Sequence, residues 1–369
     1  MSMNRRRFMV SAAGLSLCAA LPMVAKNNGN VHYISARSDM NGRHFISSFD
    51  DRGELWFSVL LPGRGHAVAV SPVGKEVVAV ARRPGRYLIV MDAETGEVLH
   101  RLESRTDRHL YGHGIFSPDG RWFYTPENDF ANGKGVIGVR DAQQGYRQIR
   151  ELSSYDAGPH ELAMLSDGLT LVVANGGIQT HPDTGRAKLN LESMKPSLAY
   201  IDGHSGELLE QQFLSDKLHK NSIRHLTVAP DDQVCCVMQY QGKRTEQPPL
   251  IGLHRRGEAI HLLRAPVDIQ KRMRNYCGSA CVDQPGKVYA VSSPRGGLVT
   301  FWGAAGGNYL GHADVADGCG IIASGEPGEF LLSSGQGGVY RYQLAGKVMR
   351  QIPIDSNSGF HWDNHMARV

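Results

Sequence analysis

Apolar residues fall in short runs along nearly the whole chain. Val77-Val-Ala-Val-Ala81, Tyr87-Leu-Ile-Val-Met91 and Val288-Tyr-Ala-Val-Ser292 are fully apolar or alternate with a period of two, the pattern of strands buried on one or both faces. Two polar phrases recur between such runs. The first closes a strand with a tight turn: His66-Ala-Val-Ala-Val-Ser-Pro-Val-Gly74, His113-Gly-Ile-Phe-Ser-Pro-Asp-Gly120, His160-Glu-Leu-Ala-Met-Leu-Ser-Asp-Gly168 and His225-Leu-Thr-Val-Ala-Pro-Asp-Asp232. Degenerate copies follow at residues 279–286 and 320–328. The second phrase, as in Val90-Met-Asp-Ala-Glu-Thr-Gly-Glu97, ends a strand at Asp and turns through Gly. An Asp side chain bonds backbone N–H groups two residues on, and Gly tolerates positive φ. Four-stranded units repeating every 40 to 65 residues or so are the mark of a β-propeller.

Inner strands begin near His66, His113, His160, His225, Ser279, Gly320 and His361. The predicted fold is all-β: a seven-bladed β-propeller forming one domain over residues 26–369. Its last blade is closed by N-terminal strands at 31–36, 44–49 and 55–61 plus a C-terminal inner strand within 360–368. Residues 268–275 are the one expected helical stretch. In a propeller the blade starts and the loops between second and third strands share a face. The blade-start histidines therefore converge with the longest loops, 128–135, 176–197 and 241–249, and insertions of this length on a tight repeat usually carry function.

Glycine, 43 of 369 residues against a usual share of about 7%, agrees with a turn-rich chain. Lys+Arg 40 against Asp+Glu 36 and 41% apolar residues exclude disorder. Asn4-Arg5-Arg6-Arg7-Phe8-Met9, the apolar run to Leu21 and Ala25 resemble a twin-arginine export signal. The expectation is a signal peptide over residues 1–25 and a soluble periplasmic product with no transmembrane segment after its removal. Bulky Leu17 before Cys18 argues against a lipoprotein anchor. Loss of Arg5, Arg6 and Arg7 takes the formal charge from +4 to about +1. That leaves no basic stripe, so nucleic acid is not expected as a partner.

Five cysteines follow the expected cut, Cys235, Cys236, Cys277, Cys281 and Cys319. An odd count leaves at least one thiol unpaired or paired between chains, and an oxidising compartment permits a Cys277–Cys281 bridge. The absence of CxxC speaks against a zinc finger, and the absence of CxxCH against covalent haem. Cys235-Cys236 reads as a buried apolar pair. Trp56, Trp122, Trp302 and Trp362 occupy unlike blade positions, which speaks against the repeated docking phrase of a quinone-dependent dehydrogenase.

His66, His113, His160 and His225 are candidate ligands for a transition metal, iron, copper or zinc, with the carboxylates of Glu127, Asp129 and Glu161 at or near the same face. A competing role is structural, each imidazole bonding the backbone of a neighbouring blade. Counted back from the turns, His113 and His225 share a register, whereas His66 and His160 sit one residue earlier. Successive strand residues point to opposite faces, so the expectation is a two-histidine site completed by loop residues. Candidate ligand-binding residues are Glu127, Asn128, Asp129, Asn175, His181, Arg186, Lys188 and Arg224. Arg186 and Lys188 suit a small anionic ligand such as a citrate-like iron carrier. The 176–197 insertion can equally be a structural flap held by its own polar side chains.

Tyr111-Gly-His-Gly114, Glu127-Asn-Asp-Phe130, Gly158-Pro-His-Glu161, Ala174-Asn-Gly-Gly-Ile178, Thr180-His-Pro-Asp-Thr-Gly-Arg186, Ser222-Ile-Arg-His225 and Trp362-Asp-Asn-His365 lie outside the generic strand pattern. With these strings the chain resembles the bacterial family catalogued as domain of unknown function 1513. The resemblance implies an exported seven-bladed propeller of the quinoprotein and YVTN type in an iron-uptake context. It also implies periplasmic partners of the imelysin type, and it carries no catalytic residue across. The leading expectation is a periplasmic ligand- or metal-binding accessory propeller. One alternative is a lactonase-like hydrolase using metal-activated water or His160 and Glu161 as acid and base. The other is a protein-interaction scaffold.

Overall fold

The chain forms seven antiparallel sheets, six of four strands and one of five. A computed structural model describes residues 31–185, 187–354 and 359–369; the expected signal segment 1–25, with Cys18, lies outside them. Blade 1 runs outward through Gly65–Val70, Glu76–Ala81, Tyr87–Asp92 and Val98–Glu103. In blade 2 the inner edge is broken, Arg108–Leu110 and Ile115–Phe116 both pairing with Trp122–Asp129. Blades 3 to 6 start from Pro159–Met164, Asn221–Val228, Ser279–Val282 and Gly318–Ala323. Blade 7 joins the two ends of the chain. The strand His361–Arg368 pairs with His32–Ser38, which leads on to His44–Asp50 and Leu55–Leu60.

Each blade packs against two neighbours, which is why the second strands are apolar on both faces. In Glu76–Ala81, Val77 and Ala79 pack with Ile34 and Ile46 of blade 7, while Val78 and Val80 pack with Phe116 and Phe123 of blade 2. Alternation along a strand sends successive side chains to opposite faces. Seven such cores, one at each junction, close the ring.

The two cysteines of the expected bridge lie in separate cores, Cys277 just ahead of the strand Ser279–Val282 and Cys281 within it. Cys277 belongs to the core between blades 4 and 5 and Cys281 to that between blades 5 and 6. Facing opposite sides of one blade they cannot bridge, and both are free thiols, as are Cys235, Cys236 and Cys319. The α-helix is Val267–Arg272. Among the described residues, no helix is long and apolar enough to cross a membrane.

Candidate functional site

The inner strands are irregular where they carry a blade-start histidine. The ladders shift register between Gly65 and Val68, between Pro159 and Glu161 and between Ile223 and His225. In blade 2 the strand is interrupted around Gly112, at φ +105°. A Cβ on Gly112 would stand 2.4 Å from His66 Cδ2, so only glycine allows this approach. Bulges re-aim side chains, and the strict alternation that separates His66 and His160 from His113 and His225 does not hold. All four rings meet at the axis, joined by His365 of the closing strand. The His365 centroid lies 4.6 Å from His66, 4.4 Å from His113 and 4.9 Å from His225. His160 lies 4.7 Å from His225 and 5.3 Å from His113. His361, the expected start of the closing strand, is exposed and bonds the Gly335 carbonyl through Nδ1 at 2.8 Å.

Two carboxyl groups orient the imidazoles. Glu161 Oε2 lies 2.9 Å from His225 Nδ1 and accepts from the Leu226 N–H at 3.3 Å, while its Oε1 is 3.4 Å from His113 Nδ1. Asp363 Oδ1 lies 2.8 Å from His66 Nδ1, and its Oδ2 accepts from Arg64 Nε at 2.6 Å. Burial pushes the Glu161 carboxyl up to about 8, against the lowering pull of the Leu226 N–H. Burial would also raise Asp363, but the His66 hydrogen bond and the charges of Arg82 and Arg64 hold it far below the usual range.

Burial drives the imidazoles toward their neutral form. It pulls His225 down to about 3, with Arg224 and Arg82 adding to the effect. It also holds His113, His160 and His365 well below 6.5, with mutual repulsion among the rings contributing. Neutral imidazole is the metal-ligating form. His113 Nε2, His160 Nδ1 and His365 Nε2 are buried and make no hydrogen bond. One ligand atom each from His113, Glu161, His225 and His365 lies within 4.8 Å of the others. Donors around a first-row ion sit about 2.0–2.2 Å from it, hence about 3.4 Å from one another in a tetrahedron, so the set must draw inward to close on a metal. The expected acid–base pair of His160 with Glu161 is not formed: the carboxyl is engaged by His225 and His113, and His160 Nδ1 stands alone.

The loop candidates divide. Glu127, Asn128 and Asp129 are strand residues turned to structural work. Glu127 is fully buried, accepting from Arg140 Nη2 at 2.9 Å and Thr125 Oγ1 at 2.8 Å. Asn128 Nδ2 donates to the Thr180 carbonyl at 2.9 Å, tying the 176–197 insertion to blade 2. Asp129 pairs with Arg108 at 2.9 Å. Asn175 Nδ2 donates to the Ser154 carbonyl at 2.8 Å. His181 caps the short turn Pro182–Thr184 and stands edge-on to Phe130. Arg186 lies outside the described residues. Lys188 and Arg224 do reach the mouth of the channel.

There a funnel of about 770 Å³ opens over the imidazoles, with His66, His160 and His225 in its wall. Arg82, Arg83 and Arg224 line it, and Lys188, Arg244, Lys271, Arg274 and Arg295 complete the wall from the exposed side. Among the described residues, no Asp or Glu lines it. Arg224 is only 7% exposed, and its Nε has no hydrogen-bond partner. Burial and the neighbouring Arg83 pull its guanidinium down to about 10. Sequence reasoning missed His365; its signal was the Trp362-Asp-Asn-His365 string in the strand that closes the ring.

No curated protein matches the chain. Among solved structures, a chain of Kuenenia stuttgartiensis hydrazine synthase aligns with a TM-score of 0.60, covering 93% of this chain and 100% of its own at 15% identity. At that identity the likeness shows the propeller fold alone. The family model described as Protein of unknown function (DUF1513) matches residues 59–369, the bladed ring and its histidines included, and the chain belongs to that family.

Proposed function

We propose that this propeller binds a first-row transition metal at the axial cluster, with His113, His225, His365 and Glu161 as ligands. The observation that carries this is the pair of buried, unpartnered nitrogens, His113 Nε2 and His365 Nε2, in a four-residue set whose ligand atoms lie within 4.8 Å of one another. A buried polar atom left without a partner costs about 1–3 kcal/mol, and a metal would relieve two such costs at once. His66, fixed by Asp363, and His160 flank the set. The imidazole and carboxylate donors suit iron, copper or zinc.

Within this reading a periplasmic location is supported by the leader-like residues 1–25. The protein's role is that of an accessory binding protein in iron uptake, with imelysin-type proteins as partners. The hydrolase reading is weaker, because His160 and Glu161 do not pair. Metal analysis of protein purified without a histidine tag, followed by zinc titration, tests the proposal. His113→Ala and His365→Ala should each weaken zinc binding at least about tenfold, in line with loss of one ligand. Wild-type protein that neither retains metal nor gains thermal stability with added zinc overturns it.

A further inference from the structure

A bare metal ion needs no large vestibule, and this one is lined by cations. A volume of about 770 Å³ falls in the range of small-molecule sites, roughly 300–1,000 Å³. The field of the lining arginines and lysines repels a free dication and draws in anions. Arg224 is the most telling residue. Buried charges are normally paired, since an uncompensated one is strongly destabilising. Arg224 is more than nine-tenths buried and lines the funnel, yet among the described residues it makes no ion pair with a carboxylate. Lys188 of the 176–197 insertion stands in the same wall, its Nζ donating to the Gln241 side chain. Burial and the charges of Arg224, Arg295 and Arg83 lower its ammonium group. Tyr276, with Arg295 stacked 4.2 Å from its ring centroid, and Tyr111 add flat faces to the same wall.

We infer that the funnel is the binding site for a small polycarboxylate of the citrate class, one carboxylate pairing with Arg224 and the remainder held by the surrounding cations. The ligand's inner end then faces His160 and His225, so a metal can arrive already complexed by oxygen donors. The inference rests on the reading above only for that inner end; the anion site stands on Arg224 and the funnel themselves.

The test uses metal-free protein and thermal unfolding, with citrate and tricarballylate, a tricarboxylate lacking the hydroxyl group, as probes. Inorganic phosphate serves as a second anion and glycerol as an uncharged control. Both tricarboxylates should raise Tm by about 3 °C or more at saturation, with an effect that shrinks as salt is added. Arg224→Met should weaken citrate binding at least about tenfold, the loss of one charged hydrogen bond. The same variant should raise Tm in the absence of anion, because it removes an uncompensated buried charge. A gain in Tm together with a loss of citrate response cannot come from misfolding. Arg295→Gln, at the exposed rim, should weaken binding while lowering basal Tm only slightly, through loss of its stacking on Tyr276.

No citrate response in wild type, an unchanged response in Arg224→Met, or an equal response to phosphate overturns the inference. Zinc titration separates the two readings. Zinc binding without citrate binding removes the polycarboxylate site and leaves the metal centre. Citrate binding without zinc binding does the reverse.

Discussion

Acid should unfold the metal-free protein through its histidine cluster. His113, His160, His225 and His365 are buried in the neutral form, whereas in the unfolded chain each titrates near 6.5. Below that pH the unfolded state binds protons that the folded state excludes, so stability falls as pH falls. Glu161 works in the opposite direction. Its carboxyl, raised to about 8, is already protonated in the fold and ionised in the unfolded chain, so the native state holds one proton more. By about pH 5.5 these five groups alone put the unfolded chain ahead by nearly three protons, and their share of the loss between roughly pH 6.5 and 5.5 is about 3 kcal/mol, to which His109, pulled down to about 4 by burial, adds in the same direction. Against a typical stability of about 5–15 kcal/mol that is a large fraction. Urea unfolding at a series of pH values, read by tryptophan fluorescence, gives the slope directly. His225→Gln should flatten it by about one proton, or ~1.4 kcal/mol per pH unit. A urea midpoint that does not move across this range, or a slope that His225→Gln leaves unaltered, refutes the reasoning.

Glu127→Ala should cost about 3–5 kcal/mol, because Arg140 is then a buried guanidinium without its counter-charge. Zinc and citrate affinities should be unchanged, and a loss of either with stability intact would return Glu127 to the site. Gly112→Ala should cost about 1–2 kcal/mol for the left-handed backbone alone. It should also weaken zinc binding, since the new methyl group would collide with His66 and disturb its packing against His113; calorimetric titration with zinc reads this, and unchanged affinity counts against the geometry.

Most of the fold was legible because its signals are local and repeated. Runs such as Val77–Ala81 are apolar on both faces only where a strand is packed between two others, and the Asp–Gly turns fix the strand ends. The closure was legible too, since six complete units left one inner strand at the C-terminus and three strands near the N-terminus. The site was legible by residue type more than by direction. His66, His113, His160 and His225 stood out, but their orientation depends on bulges opposite Gly65–Val68, Pro159–Glu161 and Ile223–His225, which leave no trace in an apolar–polar pattern. His365 was missed because the last strand has no following turn phrase from which to count its register. Glu127, Asn128 and Asp129 looked like loop ligands because Arg140, the residue that claims Glu127, sits inside an otherwise apolar strand and gives no hint of its partner.

The strongest sign that the channel mouth is a site is a contrast within the same molecule. Away from it, buried arginines are paired: Arg140 with Glu127 at 2.9 Å and Arg108 with Asp129 at 2.9 Å. At the mouth Arg224 Nε, and in the axial cluster His113 Nε2, His160 Nδ1 and His365 Nε2, remain buried and unpartnered. Each departure lowers the stability of the unliganded fold, and although single atoms such as Arg150 Nε and Glu127 Oε2 are also unpartnered elsewhere, here four gather around the axis. The two kinds of exception are also complementary in charge. Neutral imidazoles call for a cation, an unpaired guanidinium calls for an anion, and His160 and Arg224 line the same funnel. A metal held by a polycarboxylate supplies both in a single ligand, which neither a bare ion nor a simple anion can do.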